Sequence, residues 1–184
     1  MVYLFLGTGF EEAEAIIPCD LLRRAGVEVR TVGLNGAAVT GGHGITVTAD
    51  CLLSEIDPAA AEMVILPGGL GGVRSIQSCP AALDAVRRVS AAGGYVAAIC
   101  AAPTILAALG LTDGKRATCY PGMEGEMGSA CMCSGGAVTD GRLITGKAAG
   151  TAFDFALALI TALCGEAAAK TVAGAIFYEG GNNV

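Results

Sequence analysis

Short, unbroken apolar runs alternate with stretches of helical spacing along most of this chain, and that alternation leaves few folds open to it. Val2 to Leu6, Met63 to Leu66 and Tyr95 to Ile99 are continuous apolar runs, the pattern of strands buried on both faces of a parallel sheet. Val27 to Val32 alternates apolar and polar residues and predicts a further strand. Between them, Glu11 to Ala25 reads as a helix with Ile16, Ile17, Leu21 and Leu22 on one buried face. Pro18 inside it bends it or removes one backbone bond, and Gly26 ends it. Later helices are predicted from about Ala81 to Ala92, over Pro103 to Leu109, over Thr151 to Leu163 with Thr151 as a candidate N-cap, and roughly over Glu166 to Ala173. Val39 to Thr48, with Gly41-Gly42-His43-Gly44 between β-branched residues, predicts a hairpin. Val138 to Asp140 and Leu143 to Thr145 predict another, turned at Asp140-Gly141. Ala117 to Cys119 predicts a short strand, whereas the glycine- and methionine-rich Met123 to Gly136 takes no assignment. Strands alternating with helices imply an α/β fold with a doubly wound, mainly parallel sheet. No linker or repeat divides it, so residues 1–184 read as one domain.

Ala98-Ile99-Cys100-Ala101-Ala102 joins the last apolar strand to the helix after it. Small residues two positions to either side of a nucleophile, at a strand-to-helix turn, form the pattern of a nucleophile elbow. Such a turn strains the central residue and lifts its side chain above the sheet edge, where bulky neighbours would collide. The helix that follows begins just beyond the sulfur, with partial positive charge on its first amides. The thiol is therefore expected to ionise more easily than a free one. In sheets of this kind ligands bind beyond the carboxyl ends of the strands. Gly7 to Glu14, Pro67-Gly68-Gly69 and Cys100 all fall there, and helical spacing puts Glu11 and Glu14 on one side.

Composition narrows the partners. Hydrophobic residues make up 53% and charged residues 15%, so part of the surface is expected to be covered by another copy of the chain. A net charge of -6 argues against a nucleic-acid phosphate binder. No apolar run reaches bilayer length, and Met1 to Leu6 is too short for a signal peptide and lacks its basic flank. The expected setting is cytoplasmic, without membrane or nucleic-acid partners. The eight cysteines then read as reduced. Cys19, Cys51, Cys79 and Cys164 read as small buried hydrophobes. Cys131-Met132-Cys133 reads as a surface thiol pair, because no second pair stands at zinc-site spacing. His43, the one histidine, reads as a loop or subunit-interface residue. Gly7-Thr8-Gly9 lacks the third glycine of a dinucleotide fingerprint, and no metal or cofactor is expected.

Gly9-Phe10-Glu11-Glu12-Ala13-Glu14, Ile17-Pro18, Leu22 to Gly26, Leu66-Pro67-Gly68-Gly69, Ala97 to Thr104 and Gly150 to Leu157 follow one another over almost the whole chain. In that order they resemble the motifs of the ThiJ/PfpI family, within the class I glutamine amidotransferase-like superfamily. The similarity is greatest to the branch of the parkinsonism-associated protein deglycase and its bacterial relatives. The resemblance implies a flavodoxin-like three-layer sandwich and a homodimer. It also implies glyoxalase- or deglycase-type chemistry, without a cofactor, on a small reactive carbonyl such as methylglyoxal or its thiol and amine adducts. Cys100 then resembles the reactive, easily oxidised cysteine, and Glu14 the glutamate that touches its sulfur. Gly68, Gly69 and the Ala101 amide resemble the oxyanion donors, and Glu11, Tyr120 and Cys119 are further pocket candidates. Two adjacent negative charges are unfavourable, so Glu14 and the sulfur are expected to share one proton.

The departures bear on mechanism. Ala101 stands where the peptidase branch has a histidine, and no histidine follows His43. A dyad of Cys100 with a downstream histidine is impossible, which leaves amidase or peptidase activity a distant third reading. Tyr120, before Pro121, stands where the deglycase branch often has a histidine, and a tyrosine is a poor base near neutral pH. Cys119 reads either as a resolving thiol or as a packed cysteine. The alternative to an enzyme is an oxidative-stress sensor or redox chaperone, with Cys100 oxidised to a sulfinic acid beside protonated Glu14.

Overall fold

The structure, a computed structural model, describes residues 1–180, so residues 181–184 of the expected 1–184 domain lie outside the described residues. Its strands are β1 (Val2–Leu6), β2 (Val29–Gly33), β3 (Ala38–Thr40), β4 (Thr46–Thr48), β5 (Cys51–Leu52), β6 (Met63–Leu66), β7 (Tyr95–Ile99), β8 (Arg116–Ala117), β9 (Cys131–Met132), β10 (Ala137–Asp140) and β11 (Leu143–Gly146). Its helices are α1 (Glu12–Arg24), α2 (Leu70–Gln77), α3 (Pro80–Ala91), α4 (Pro103–Ala108), α5 (Ala152–Cys164) and α6 (Glu166–Ala175). The main sheet runs β10-β11-β7-β6-β1-β2-β5 and is parallel except where β10 pairs antiparallel with β11. Its central order, β2-β1-β6-β7-β11, is the flavodoxin-like winding. The ribbons β3–β4 and β8–β9 lie outside it.

The continuous apolar runs bury side chains on both faces. Leu4, Leu6, Ile65, Ala97 and Ile99 pack in one cluster with residues of α1, α5 and α6. Tyr3, Phe5, Val64, Leu66, Val96 and Ala98 pack in the other with residues of α2, α3 and α4. The result is a three-layer sandwich in which each fully buried Leu, Ile or Phe contributes about 2 kcal/mol of transfer free energy. Pro80 and Pro103 stand in the first turns of α3 and α4, where a missing N–H is not needed. α1 runs on through Pro18, which leaves only the Glu14 carbonyl without its helical donor.

Several details depart from expectation. α2 was not predicted, because Gly71 and Gly72 in its first turn lower its helical propensity. The same glycines let it lie against the turn after β1: a Cβ at Gly72 would stand 2.7 Å from Phe10 Cα, and one at Gly71 2.9 Å from Gly9 Cα. Thr151 precedes α5 without capping it. Its hydroxyl donates backward to the Ala148 carbonyl at 2.9 Å and accepts from the Ala148 N–H at 3.2 Å. The unassigned stretch resolves into a 3-10 turn at Glu124–Glu126 and β9, whose partner β8 begins one residue before the predicted strand. Cys19 and Cys51 are buried, but Cys79 is half-buried and Cys164 exposed, because the last turn of α5 has left the core. Among the described residues no helix is long and apolar enough to cross a membrane.

Candidate active site

β7, β6 and β1 are neighbours and parallel, so the turns after their carboxyl ends meet in one place. After β7 the chain turns at Cys100 with φ of 66°, in the left-handed region that side chains disfavour by about 1–2 kcal/mol. Neighbouring hydrogen bonds hold that geometry. Cys100 N–H donates to the Gly146 carbonyl at 3.0 Å, and Tyr120 N–H donates to the Cys100 carbonyl at 2.8 Å. The Thr104 hydroxyl donates to the Ala101 carbonyl at 2.7 Å. Ala98, Ala101 and Ala102 are buried, which is the packing cause of the small-residue pattern. The half-buried Cys100 opens onto a cavity of about 250 Å³, lined by Glu11, Gly69, Leu70, Ala101, Tyr120 and Met123.

Glu14, on the first turn of α1, is fully buried beneath this cavity's cysteine turn. Its Oε2 accepts the Gly68 N–H at 2.9 Å, whereas Oε1 is buried with no hydrogen bond of good geometry. Gly68 stands between the two candidate groups: a Cβ there would collide with Glu14 Oε2 and lie 2.7 Å from Cys100 Cβ. The Gly68 amide is therefore directed at Glu14, while the amides of Gly69 and Ala101 act on the Cys100 sulfur.

Burial pushes the Glu14 carboxyl up to about 7, against the lowering influence of the Cys100 thiol and the Gly68 amide. Burial also pushes the Cys100 thiol up to about 12, helped by the charge and hydrogen bonding of Glu14 and opposed by the Ala101 and Gly69 amides. The expectation of an easily ionised thiol is corrected here. α4 has only six residues, and desolvation beside a carboxylate outweighs what its amides supply. Each group disfavours the other's charge, so their titrations are coupled. A proton on Glu14 would remove its repulsion of the sulfur and leave the Gly69 and Ala101 amides acting on it.

The other candidates divide. Glu11 N–H donates to the Gly68 carbonyl at 2.9 Å, and Glu11 lines the cavity. Tyr120 lines the cavity and is 48% exposed. Cys119 is buried, does not line the cavity, and donates from Sγ to the Tyr120 carbonyl at 3.4 Å. Burial, with Glu124 and Glu126 nearby, pushes its thiol up to about 11. Cys131 is exposed and Cys133 half-buried, with the Cys133 thiol donating to the Cys131 carbonyl at 3.6 Å.

The sequence predicted the β3–β4 hairpin but not where it folds. Gly9 N–H donates to the Thr40 carbonyl and Gly42 N–H to the Phe10 carbonyl, both at 2.8 Å, so its tip is tied to the turn before α1. Gly41 makes room for Glu12, whose carboxyl a Cβ there would overlap. The one available cue was the glycine run around His43. His43 Nδ1 stands 3.0 Å from Glu12 Oε2 and 3.6 Å from Glu11 Oε2. Glu11, Glu12 and His43 thus form one cluster at the start of α1, in which the imidazole hydrogen-bonds Glu12 and, when protonated, is ion-paired with it.

Known proteins share this arrangement of chain. The DJ-1/PfpI family matches residues 1–162. Protein dj-1beta of Drosophila melanogaster is 39% identical over 173 residues, which span 92% of this chain and 92% of that protein. A glutathione-independent glyoxalase of Caenorhabditis elegans is 32% identical over 157 residues, 84% of this chain and 83% of that protein. The crystal structure of a cysteine-to-alanine mutant of a DJ-1 superfamily protein from Salmonella typhimurium superposes with a TM-score of 0.92 at 37% identity, covering 97% of this chain and 98% of that one.

Proposed function

The chain belongs to the DJ-1/PfpI family of the class I glutamine amidotransferase-like superfamily, and from that premise we propose that it is a glyoxalase- or deglycase-type enzyme acting on methylglyoxal or its thiol and amine adducts. The observation that carries this reading is the placement of Cys100, at a left-handed turn on the wall of a small cavity, with the buried Glu14 carboxyl beside it and the Gly69 and Ala101 amides at its sulfur. The relative named as a glutathione-independent glyoxalase supports it.

In this mechanism the Cys100 thiolate adds to the aldehyde carbon of methylglyoxal. A carbon–sulfur bond forms, and the carbonyl electron pair moves to oxygen, where the Gly69 and Ala101 amides hold it. Glu14 gives its proton to this oxygen, which forms the hemithioacetal and leaves Glu14 a carboxylate. Glu14 takes the proton from the former aldehyde carbon and returns it to the neighbouring carbon, while the hydroxyl proton passes to the neighbouring oxygen, which converts the adduct into a lactoyl thioester. Water cleaves the thioester, releasing lactate and the thiol. Gly68 serves by holding Glu14, and Glu11 and Tyr120 bound the substrate. We further propose a homodimer in the cytoplasm, in keeping with a charge-poor surface and eight free cysteines.

The test is lactate formation from methylglyoxal by the wild type, Cys100→Ser and Glu14→Gln. Each substitution is expected to abolish it, and wild-type turnover in either would overturn the mechanism. A second reading, oxidation sensing, is favoured by the half-buried Cys100 beside a carboxyl that stays protonated to about pH 7. Intact-mass measurement after mild peroxide separates the two. Two oxygens on Cys100 alone support sensing, and oxidation spread over all the cysteines counts against it.

A further inference from the structure

Tyr120 and Glu11 line the Cys100 cavity, and the chain's one histidine is brought from the β3–β4 hairpin to stand beside Glu11. Glu12, nearly buried, takes the backbone N–H of His43 at 2.8 Å on Oε1 and that of Ile45 at 3.4 Å on the same oxygen. Its other oxygen holds the imidazole Nδ1 at 3.0 Å. The backbone bonds of Gly9 and Gly42 fix the hairpin tip independently of any side chain. The imidazole is thus placed 3.6 Å from Glu11, and Glu11 lines the cavity with Cys100.

We propose that His43 is a positioning residue for the Cys100 site: latched by Glu12, it holds Glu11 at the cavity wall, and its protonation sets the net charge there. The proposal rests on Cys100 being the reacting atom, as in the reading above. Among the described residues, the charged groups that pair with the imidazole are Glu11 and Glu12, both at the start of α1; β3 and β4 carry none. Protonated, the trio carries one net negative charge; deprotonated, two. The Glu11 charge already acts on Glu14, raising its pKa, so the imidazolium offsets a repulsion that reaches the Cys100–Glu14 pair. Both carboxylates favour the imidazolium and push His43 above 6.5. As pH rises through its titration the offset disappears and the thiolate becomes harder to form.

The experiment needs no turnover. The single imidazole is titrated by NMR in the intact protein, and iodoacetamide alkylation of Cys100 is followed by mass spectrometry across the same pH range. Below the imidazole midpoint the wild type should alkylate roughly two- to five-fold faster than His43→Gln, the size expected of one charge acting across a partly solvated path. That ratio should fall to one above the midpoint. His43→Arg, which keeps a cation at every pH, should keep the advantage throughout. A ratio of one at every pH overturns the proposal, and so does a pH-independent ratio, which a merely structural role would give. Missing lactate formation with the pH-dependent ratio intact would sink only the enzymatic reading.

Discussion

Replacing Glu14 by Gln should make the protein more stable at alkaline pH while removing its chemistry. The folded carboxyl holds its proton to about pH 7, whereas an unperturbed one releases it near 4.5. The unfolded chain therefore gives up a proton that the native state keeps between those two values. The contribution of Glu14 to stability is intact below pH 4.5, declines as pH rises, and is lost once pH passes 7. At about 1.4 kcal/mol per pH unit, the wild type loses about 3 kcal/mol from this one side chain. Glutamine cannot ionise, yet its carbonyl oxygen can still accept the Gly68 N–H that now bonds Oε2 at 2.9 Å. Urea unfolding followed by circular dichroism, under reducing conditions at several pH values, measures the difference. The variant's advantage should grow by about 3 kcal/mol between pH 4.5 and 7 and then level off. Asp50 and the other groups remote from the site are common to both proteins and cancel, and Cys100, held up at about 12 by burial and Glu14, keeps its proton across this range. A difference that stays flat across this range would refute the buried, proton-holding carboxyl on which the proposed mechanism depends.

Gly68→Ala should fail in a related way. Its Cβ would strike Glu14 Oε2, stand 2.7 Å from Cys100 Cβ and 3.0 Å from the Ile99 carbonyl, so both stability, by about 1–3 kcal/mol, and lactate formation, by at least about ten-fold, should fall. Urea melts and the methylglyoxal assay report the two losses, and a variant matching wild type in both would contradict the close approach. Native thiol labelling read by mass spectrometry should modify Cys131 and Cys164 first, with Cys19, Cys51 and Cys119 reacting only on unfolding. Fast labelling of Cys119 would show that it is not packed as described.

The parts of the fold that could be read from sequence are those set by local pattern. β1, β6 and β7 were predicted to the residue because each is a continuous apolar run bounded by glycine, proline or the cysteine turn. The elbow at Cys100 was legible because Ala98 and Ala102, two positions to either side, are small and buried. α2 was not, since two glycines argue against a helix until the turn after β1 is packed on them. The ionisation of Cys100 was misjudged for a related reason: the helix amides are local, whereas the burial and the Glu14 carboxylate that outweigh them are tertiary. The company kept by His43 was invisible, because backbone bonds dock the hairpin and leave little side-chain pattern beyond Gly41. Cys164 was misplaced because helical periodicity says nothing about where a helix outruns the sheet it covers.

The margins of the main sheet carry a consequence of their own. One margin, β5, is two residues long. The other, β10, is four residues long and is overlaid by Arg116, whose N–H donates to Asp140 and whose guanidinium donates to the Thr139 carbonyl at 3.2 Å. Among the described residues, neither margin of the main sheet offers a long free backbone for a neighbouring molecule to zip onto, so edge-to-edge stacking of the main sheet is disfavoured.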